Sequence, residues 1–285
     1  HGSHPVMIDK KEVSQTGATL VLSDLINKEN SATHDTKKLA NVLFDLINAL
    51  RTDLSPELLH YYLSVTHSTI VRRRRPLSFA EEVKNEIAHC KPENAACRFA
   101  ELAALLCMGG SLILGSRGTI GIEFSTSNNA VARKALKMWM ESFPVRPEVR
   151  VRQGLRLRKK NYYILRVSPS PESTAILKDL SLFPTDTEFS AIDLKKTDCQ
   201  RAFLRGAFMG GGSVNQPKGD YHLELVTGNA AFAEKLLKIM RRFRLPAKTT
   251  DRKGDYLVYI KEGNGVSQFL QYIGAAQAYL KFESV

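Results

Sequence analysis

Two stretches of this chain are copies of one another, and that duplication limits the possible folds more than any other feature. Residues 120–138, IGIEFSTSNNAVARKALKM, lie without a gap over residues 221–239, YHLELVTGNAAFAEKLLKI, and eight of the nineteen positions are identical, among them Glu123/Glu224, Asn128/Asn229 and Lys134/Lys235. One residue further out of phase, Cys97, Leu102, Gly109, Gly110 and Ser111 fall on Cys199, Leu204, Gly211, Gly212 and Ser213. A repeat of this length predicts two like units that pack on each other.

Both units follow the same pattern. A helix of small and apolar residues ends at Gly-Gly, where the glycines are expected to cap it and turn the chain into a strand pair. Ile120, Ile122 and Phe124 alternate in the first unit, and Tyr221, Leu223 and Leu225 in the second. Asn128 and Asn229 stand at N-cap positions. The helices behind them bring Val131, Ala135 and Met138, or Phe232, Leu236 and Ile239, to one side. A second hairpin follows, EVRVRQGLRLRKKNYYILRVS or AKTTDRKGDYLVYIK, and each unit closes on a helix, PESTAILKDL or VSQFLQYIGAAQAYL. The order α-β-β-α-β-β-α, with an antiparallel four-stranded sheet per unit, predicts an α+β fold.

Composition narrows the function. Lys plus Arg number 41 against 29 Asp plus Glu, a formal net charge of +12, which suits a polyanionic partner. The longest apolar stretch, residues 102–115, is too short to span a membrane and is broken by Gly-Gly. No membrane association is expected. Cys90, Cys97, Cys107 and Cys199 show no zinc-ligand spacing and are read as reduced, packed thiols. His34, His60 and His67 have no ligand spacing either. No Gly-rich nucleotide loop and no Ser/His/Asp or Cys/His arrangement is present, so no cofactor and no small-molecule substrate are inferred. HGSHP, residues 1–5, reads as a tag remnant.

The small-residue helices belong between the halves. Ala103, Ala104 and Cys107 in one, with Gly206, Ala207 and Gly210 in the other, would let two backbones approach closely. Glycine inside a helix costs about 1 kcal/mol relative to alanine, so Gly206 requires a packing reason. LAALLCMGG and LRGAFMGGG resemble the LAGLIDADG motif of homing endonucleases. SFAEEVKNEIAHC, AELAALLCMGGSL and AFLRGAFMGGGSV with YHLELVTGN resemble the WhiA family of bacterial regulators over about Ser78–Val285. The resemblance implies duplicated units about a pseudo-twofold saddle, with a lead-in helix at 78–96 and halves at 97–190 and 191–285. It also implies a cytoplasmic, nucleoid-associated transcription factor acting in sporulation and cell division. In the endonucleases the last acidic residue of each motif holds the catalytic metal; the matching positions here are Gly109 and Gly211, which offer no carboxylate. No metal and no catalysis are therefore expected.

In RPEVRVRQGLRLRKK, Arg146, Arg150, Arg152, Arg156 and Arg158 occupy even positions and Val149, Val151, Leu155 and Leu157 odd ones. Period-two alternation predicts arginines on one sheet face and aliphatics against the core. Lys159 and Lys160 extend the charge. Lys248, Arg252, Lys253 and Lys261 form a weaker second set, partly offset by Asp251, Asp255 and Glu262. Double-stranded DNA is the expected partner. The resemblance also implies a C-terminal helix-turn-helix domain, which is not in this chain and which could dock intramolecularly. Two other readings stay open: an active metal-dependent endonuclease with unrecognised carboxylates, and a protein-interaction module that holds the missing domain. Residues 6–75 stand outside the repeat, read as a small α/β segment, and resemble the tail of the CofD-like (YvcK) gluconeogenesis-factor family. The four arginines of HSTIVRRRRPLS mark the boundary.

Overall fold

The computed structural model describes residues 77–152, 161–182, 192, 194–215, 221–252 and 254–284. Segment 6–75, Arg156, Arg158, Lys159, Lys160 and Lys253 lie outside the described residues.

The chain enters through α1 (Phe79–Ala88), whose Ser78 and Glu81 form a reciprocal capping box, with Phe79, Val83 and Ile87 buried one helical turn apart. The first unit then runs α2 (Ala95–Gly109), β1 (Gly110–Leu114), β2 (Ile120–Thr126), α3 (Asn129–Ser142), β3 (Glu148–Arg152), β4 (Tyr162–Ser170) and α4 (Pro171–Asp179). The second runs α5 (Thr197–Gly211), β5 (Gly212–Val214), β6 (Leu223–Thr227), α6 (Ala230–Arg242), β7 (Lys248–Arg252), β8 (Asp255–Ile260) and α7 (Gly263–Tyr272), with α8 (Ala276–Glu283) added. Both sheets are antiparallel with the same strand order, β1-β2-β4-β3 and β5-β6-β8-β7.

Local chemistry explains these bounds. The side chain of Asn128 accepts from the Val131 amide at 3.0 Å and that of Asn229 from the Phe232 amide at 3.0 Å, which starts α3 and α6 at equivalent places. Val131, Ala135, Met138, Phe232, Leu236 and Ile239 are all buried, as the helical spacing requires. Ile122 and Phe124, with Leu223 and Leu225, form the core faces of the two sheets.

Several expectations need correction. The closing segment VSQFLQYIGAAQAYL is two helices, because Gly274 takes φ +88°. The Gly274 and Ala275 amides donate back to Gln271 and Leu270 carbonyls, a left-handed helix stop that a side chain would resist. Tyr221 precedes β6, is 41 % exposed and packs on Phe282. The Gly-Gly helix ends are extended rather than left-handed: Gly110 has φ −92° and Gly212 has φ −85°. Glycine is needed there for space, since a Cβ on Gly110 would lie 2.5 Å from the Leu106 carbonyl oxygen.

Helix α8 returns to α1. Phe282 stacks on Phe79 with centroids 6.3 Å apart, and the Glu86 carboxylate accepts from the Gln277 and Ala278 amides at 2.6 and 2.9 Å. An acidic side chain of the lead-in helix thus caps the first turn of the last helix, where the macrodipole favours it.

Candidate nucleic-acid interface

Helices α2 and α5 make the most extensive helix–helix contact among the described residues. Their approach is set at glycines. An added Cβ on Gly206 would stand 2.0 Å from the Glu101 carbonyl oxygen, and one on Gly210 would stand 2.6 Å from that of Leu105. Ala103, Ala104 and Ala207 are fully buried, and Cys107 is half-buried. Near the start of the crossing, Cys97 Sγ and Cys199 Sγ lie 3.1 Å apart. None of the four cysteines forms a disulfide. Burial, and then the contact with Cys199, push the Cys97 thiol up to about 12, so it stays protonated and a poor nucleophile at neutral pH.

The interface also holds a charged cluster that sequence reasoning did not assemble. Glu101 is fully buried on α2. One of its carboxylate oxygens accepts from Arg205 Nε and Nη2 of α5, each at 3.1 Å, and the other pairs with Lys134 Nζ of α3. Lys134 also donates to the Ile87 and Cys90 carbonyls at 3.0 and 2.8 Å. Desolvation lowers the Lys134 pKa from the ordinary lysine value, with Glu101 acting against that shift. The repeated pair Lys134/Lys235 was the one signal in the sequence, but its partner lies in another element.

At the ends of these helices the acidic positions of a nuclease are absent, and there is little room for them. A Cβ on Gly109 would lie 2.8 Å from the Phe124 ring and 3.2 Å from the Gly210 carbonyl oxygen; one on Gly211 would lie 2.7 Å from Met108 Cε and 3.0 Å from the Val226 carbonyl oxygen. Among the described residues, no group of three or more His, Cys, Asp or Glu side chains could hold a metal ion.

Each helix leads into the first strand of a sheet, and the ladder register sorts the side chains. In the first sheet Glu148 faces Arg166, Arg150 faces Ile164 and Arg152 faces Tyr162, with Glu123 opposite Arg166 on β2. Val149 and Val151 pair with Leu165 and Tyr163 on the core side. The arginines and valines therefore separate by face, but the valines are not in the core: they are 50 % and 55 % exposed. β3 is an edge strand, and the buried cluster ends at Leu165 and Val167 of β4. Arg146 sits in the loop before β3 rather than on it, and is exposed.

Part of the charge on this open face is already paired. Arg150 Nε donates to Glu148 Oε1 at 2.7 Å, which raises the Arg150 pKa, and Arg166 lies 3.6 Å from Glu123. Arg166 was missed because it falls in the strand after the arginine run, though it shares the alternation. In the second sheet Lys248 faces Tyr259, Thr250 faces Leu257 and Arg252 faces Asp255. Register makes Arg152 and Arg252 equivalent, four residues beyond the positions opposite Arg166 and Tyr259. Lys261 lies over the Tyr259 ring at 5.5 Å. Asp251 belongs to the opposite face, so it offsets Lys248 and Arg252 less than its place in the chain suggests.

Two α-β-β-α-β-β-α units joined through paired small-residue helices define the LAGLIDADG-like class of proteins. Family models agree in detail: the WhiA N-terminal LAGLIDADG-like domain matches residues 95–183 and the WhiA LAGLIDADG-like domain matches residues 200–285. A probable cell division protein WhiA from Alkaliphilus metalliredigens is 39 % identical over 216 residues, 73 % of this chain and 68 % of that protein. One from Heliobacterium modesticaldum is 38 % identical over 213 residues, covering 73 % and 67 %. The chain belongs to the WhiA family. The crystal structure of the N-terminal LAGLIDADG domain of DUF199/WhiA has the same fold, with a TM-score of 0.56 at 24 % identity over 70 % of this chain and 92 % of that one.

Proposed function

We propose that the chain is a noncatalytic regulator of the cell-division type named for its relatives, and that it grips duplex DNA with the open faces of its two sheets. The observation that carries this reading is the equivalent placement of Arg152 and Arg252 on the outer strands, with Arg150, Arg166 and Lys248 on the same faces and Lys261 over the Tyr259 ring. Basic side chains on a solvent-facing ladder can neutralise phosphates or reach guanine in the major groove. Arg150 and Arg166 already carry acidic partners and Arg252 stands opposite Asp255, so Arg152 is the leading contact.

The noncatalytic part is supported by the crowding at Gly109 and Gly211. A carboxylate there would have to displace a phenylalanine ring or a methionine as well as backbone. Glu101 cannot replace it, because Lys134 and Arg205 already neutralise it in the dry interior.

Fluorescence anisotropy with a labelled duplex, measured across a range of salt concentrations, tests the binding. The slope of log K against log salt should be negative and should flatten by about 0.9 for each phosphate contact removed, hence by about 2 to 3 in R150A/R152A/R252A. An unchanged slope in that variant defeats the interface. Plasmid nicking with magnesium or manganese should remain at background, and cleavage abolished by EDTA would return the nuclease reading.

A further inference from the structure

On the side of the first unit away from the strand face, a cavity of about 700 Å³ opens between the C-terminal end of α1, the loop that follows it and α3. The inner side of α3 establishes that placement: Ala135 and Trp139 lie against Ile122, Phe124, Leu165 and Val167, the core side of the sheet. The outer side of α3 lines the cavity with Asn129, Arg133 and Lys137, one turn apart. His89 and Lys91 approach from the loop.

The electrostatic balance of this cavity is one-sided. Two further cations in its wall are already matched: Lys134 by Glu101, and Arg98 by Glu141, whose carboxylate and carbonyl it meets at 3.7 and 3.2 Å. Among the described residues Glu141 is the only acid in the wall, and it also stands 3.8 Å from Lys137. Lys91 and Arg133 have no acidic partner among the described residues. His89 Nδ1 donates to the Asn85 carbonyl at 2.7 Å, which holds the ring against the end of α1. The loop is held in place before any ligand arrives, because Lys134 Nζ binds the Cys90 carbonyl from below. The duplication supplies an internal contrast: where the first unit has Arg133, the second has Glu234.

We infer that this cavity binds a small phosphorylated molecule of mononucleotide size through its phosphates, with Arg133, Lys91 and Lys137 as the charge partners. The volume lies within the range of small-molecule sites. Guanidinium and ammonium groups converging on one concavity match the charge and oxygen geometry of phosphate esters. A recessed cleft closed on one side by α1 suits a small anion better than a duplex, which needs an extended face. The site is separate from the strand face, so its fate does not depend on DNA binding.

Isothermal titration of the full chain with sodium pyrophosphate and with ADP, at constant ionic strength, tests the inference. The wild-type chain is expected to saturate with at least one of the two probes. Arg133→Glu, which copies the second unit, should bind about tenfold more weakly or worse. Lys91→Ala should weaken binding in the same direction. Both side chains are exposed, and circular dichroism checks that the variants keep the fold. R150A/R152A/R252A should bind both probes as the wild type does. No saturation with either probe, equal affinity in Arg133→Glu, or loss of binding in the strand-face variant would each overturn the assignment.

Discussion

Replacing Gly206 by alanine adds one methyl group at the tightest point between the halves. The new Cβ would stand 2.0 Å from the Glu101 carbonyl oxygen, 2.9 Å from its carbonyl carbon and 3.1 Å from its Cα. All three are backbone atoms, so no rotamer change relieves the clash. Reaching an ordinary contact of about 3.4 Å requires α2 and α5 to separate by roughly 1 to 1.5 Å, and gaps of that order forfeit about half of the dispersion well along the contact. The separation also strains the 3.1 Å bonds from Arg205 to the Glu101 carboxylate. Overpacking of this kind costs about 1 to 3 kcal/mol, and damage to a buried ion pair adds to it, while the gain in helix propensity returns about 1 kcal/mol. A net loss of about 3 kcal/mol is expected. Urea unfolding followed by far-UV circular dichroism reads it as a lower midpoint. Gly228→Ala is the matched control: its Cβ would meet only Asp255 Oδ1 at 3.9 Å, and its effect should lie between zero and about 1 kcal/mol of stabilisation. If the two variants unfold within about 1 kcal/mol of each other, close backbone approach is not what joins the halves.

Four further outcomes follow from the same geometry. Glu101→Gln should cost about 3 to 5 kcal/mol in urea unfolding, since it leaves Lys134 and Arg205 buried without their shared anion. That variant should also gain stability from pH 8 to pH 10 relative to wild type: Lys134 titrates lower in the folded chain than in the unfolded one, losing Glu101 lowers it further, and the unfolded chain then binds more protons as pH rises. Glu86→Ala should lose about 1 kcal/mol by uncapping α8, and its effect should add to that of Asn229→Ala, which uncaps α6. In the native chain at pH 8, Cys97 and Cys199 should resist alkylation by iodoacetamide until denaturant is added; rapid native labelling of either would show that the crossing opens.

The duplicated sequence carried the architecture a long way by itself. Repetition, the Asn128 and Asn229 caps, and the alternation around Phe124 and Leu225 are local properties, so element order, the two sheets and most of the core could be read before any contact was known. Helix ends were less legible. Gly274 breaks the last helix through a positive φ, and the Gly-Gly pairs answer crowding by Leu106 and Phe208 rather than a left-handed turn.

What the chain could not declare is which distant groups share a space. Period-two spacing sorted Arg150 and Arg152 from Val149 and Val151, but burial depends on neighbours, and an edge strand leaves both sets in water. The same limit hid the clasp of Lys134 and Arg205 on Glu101, whose members come from three helices. It also hid the cavity between α1 and α3, where basic residues far apart in the chain converge. Periodicity is a property of one segment, whereas desolvation and charge pairing arise between segments, and only the packed chain brings those together.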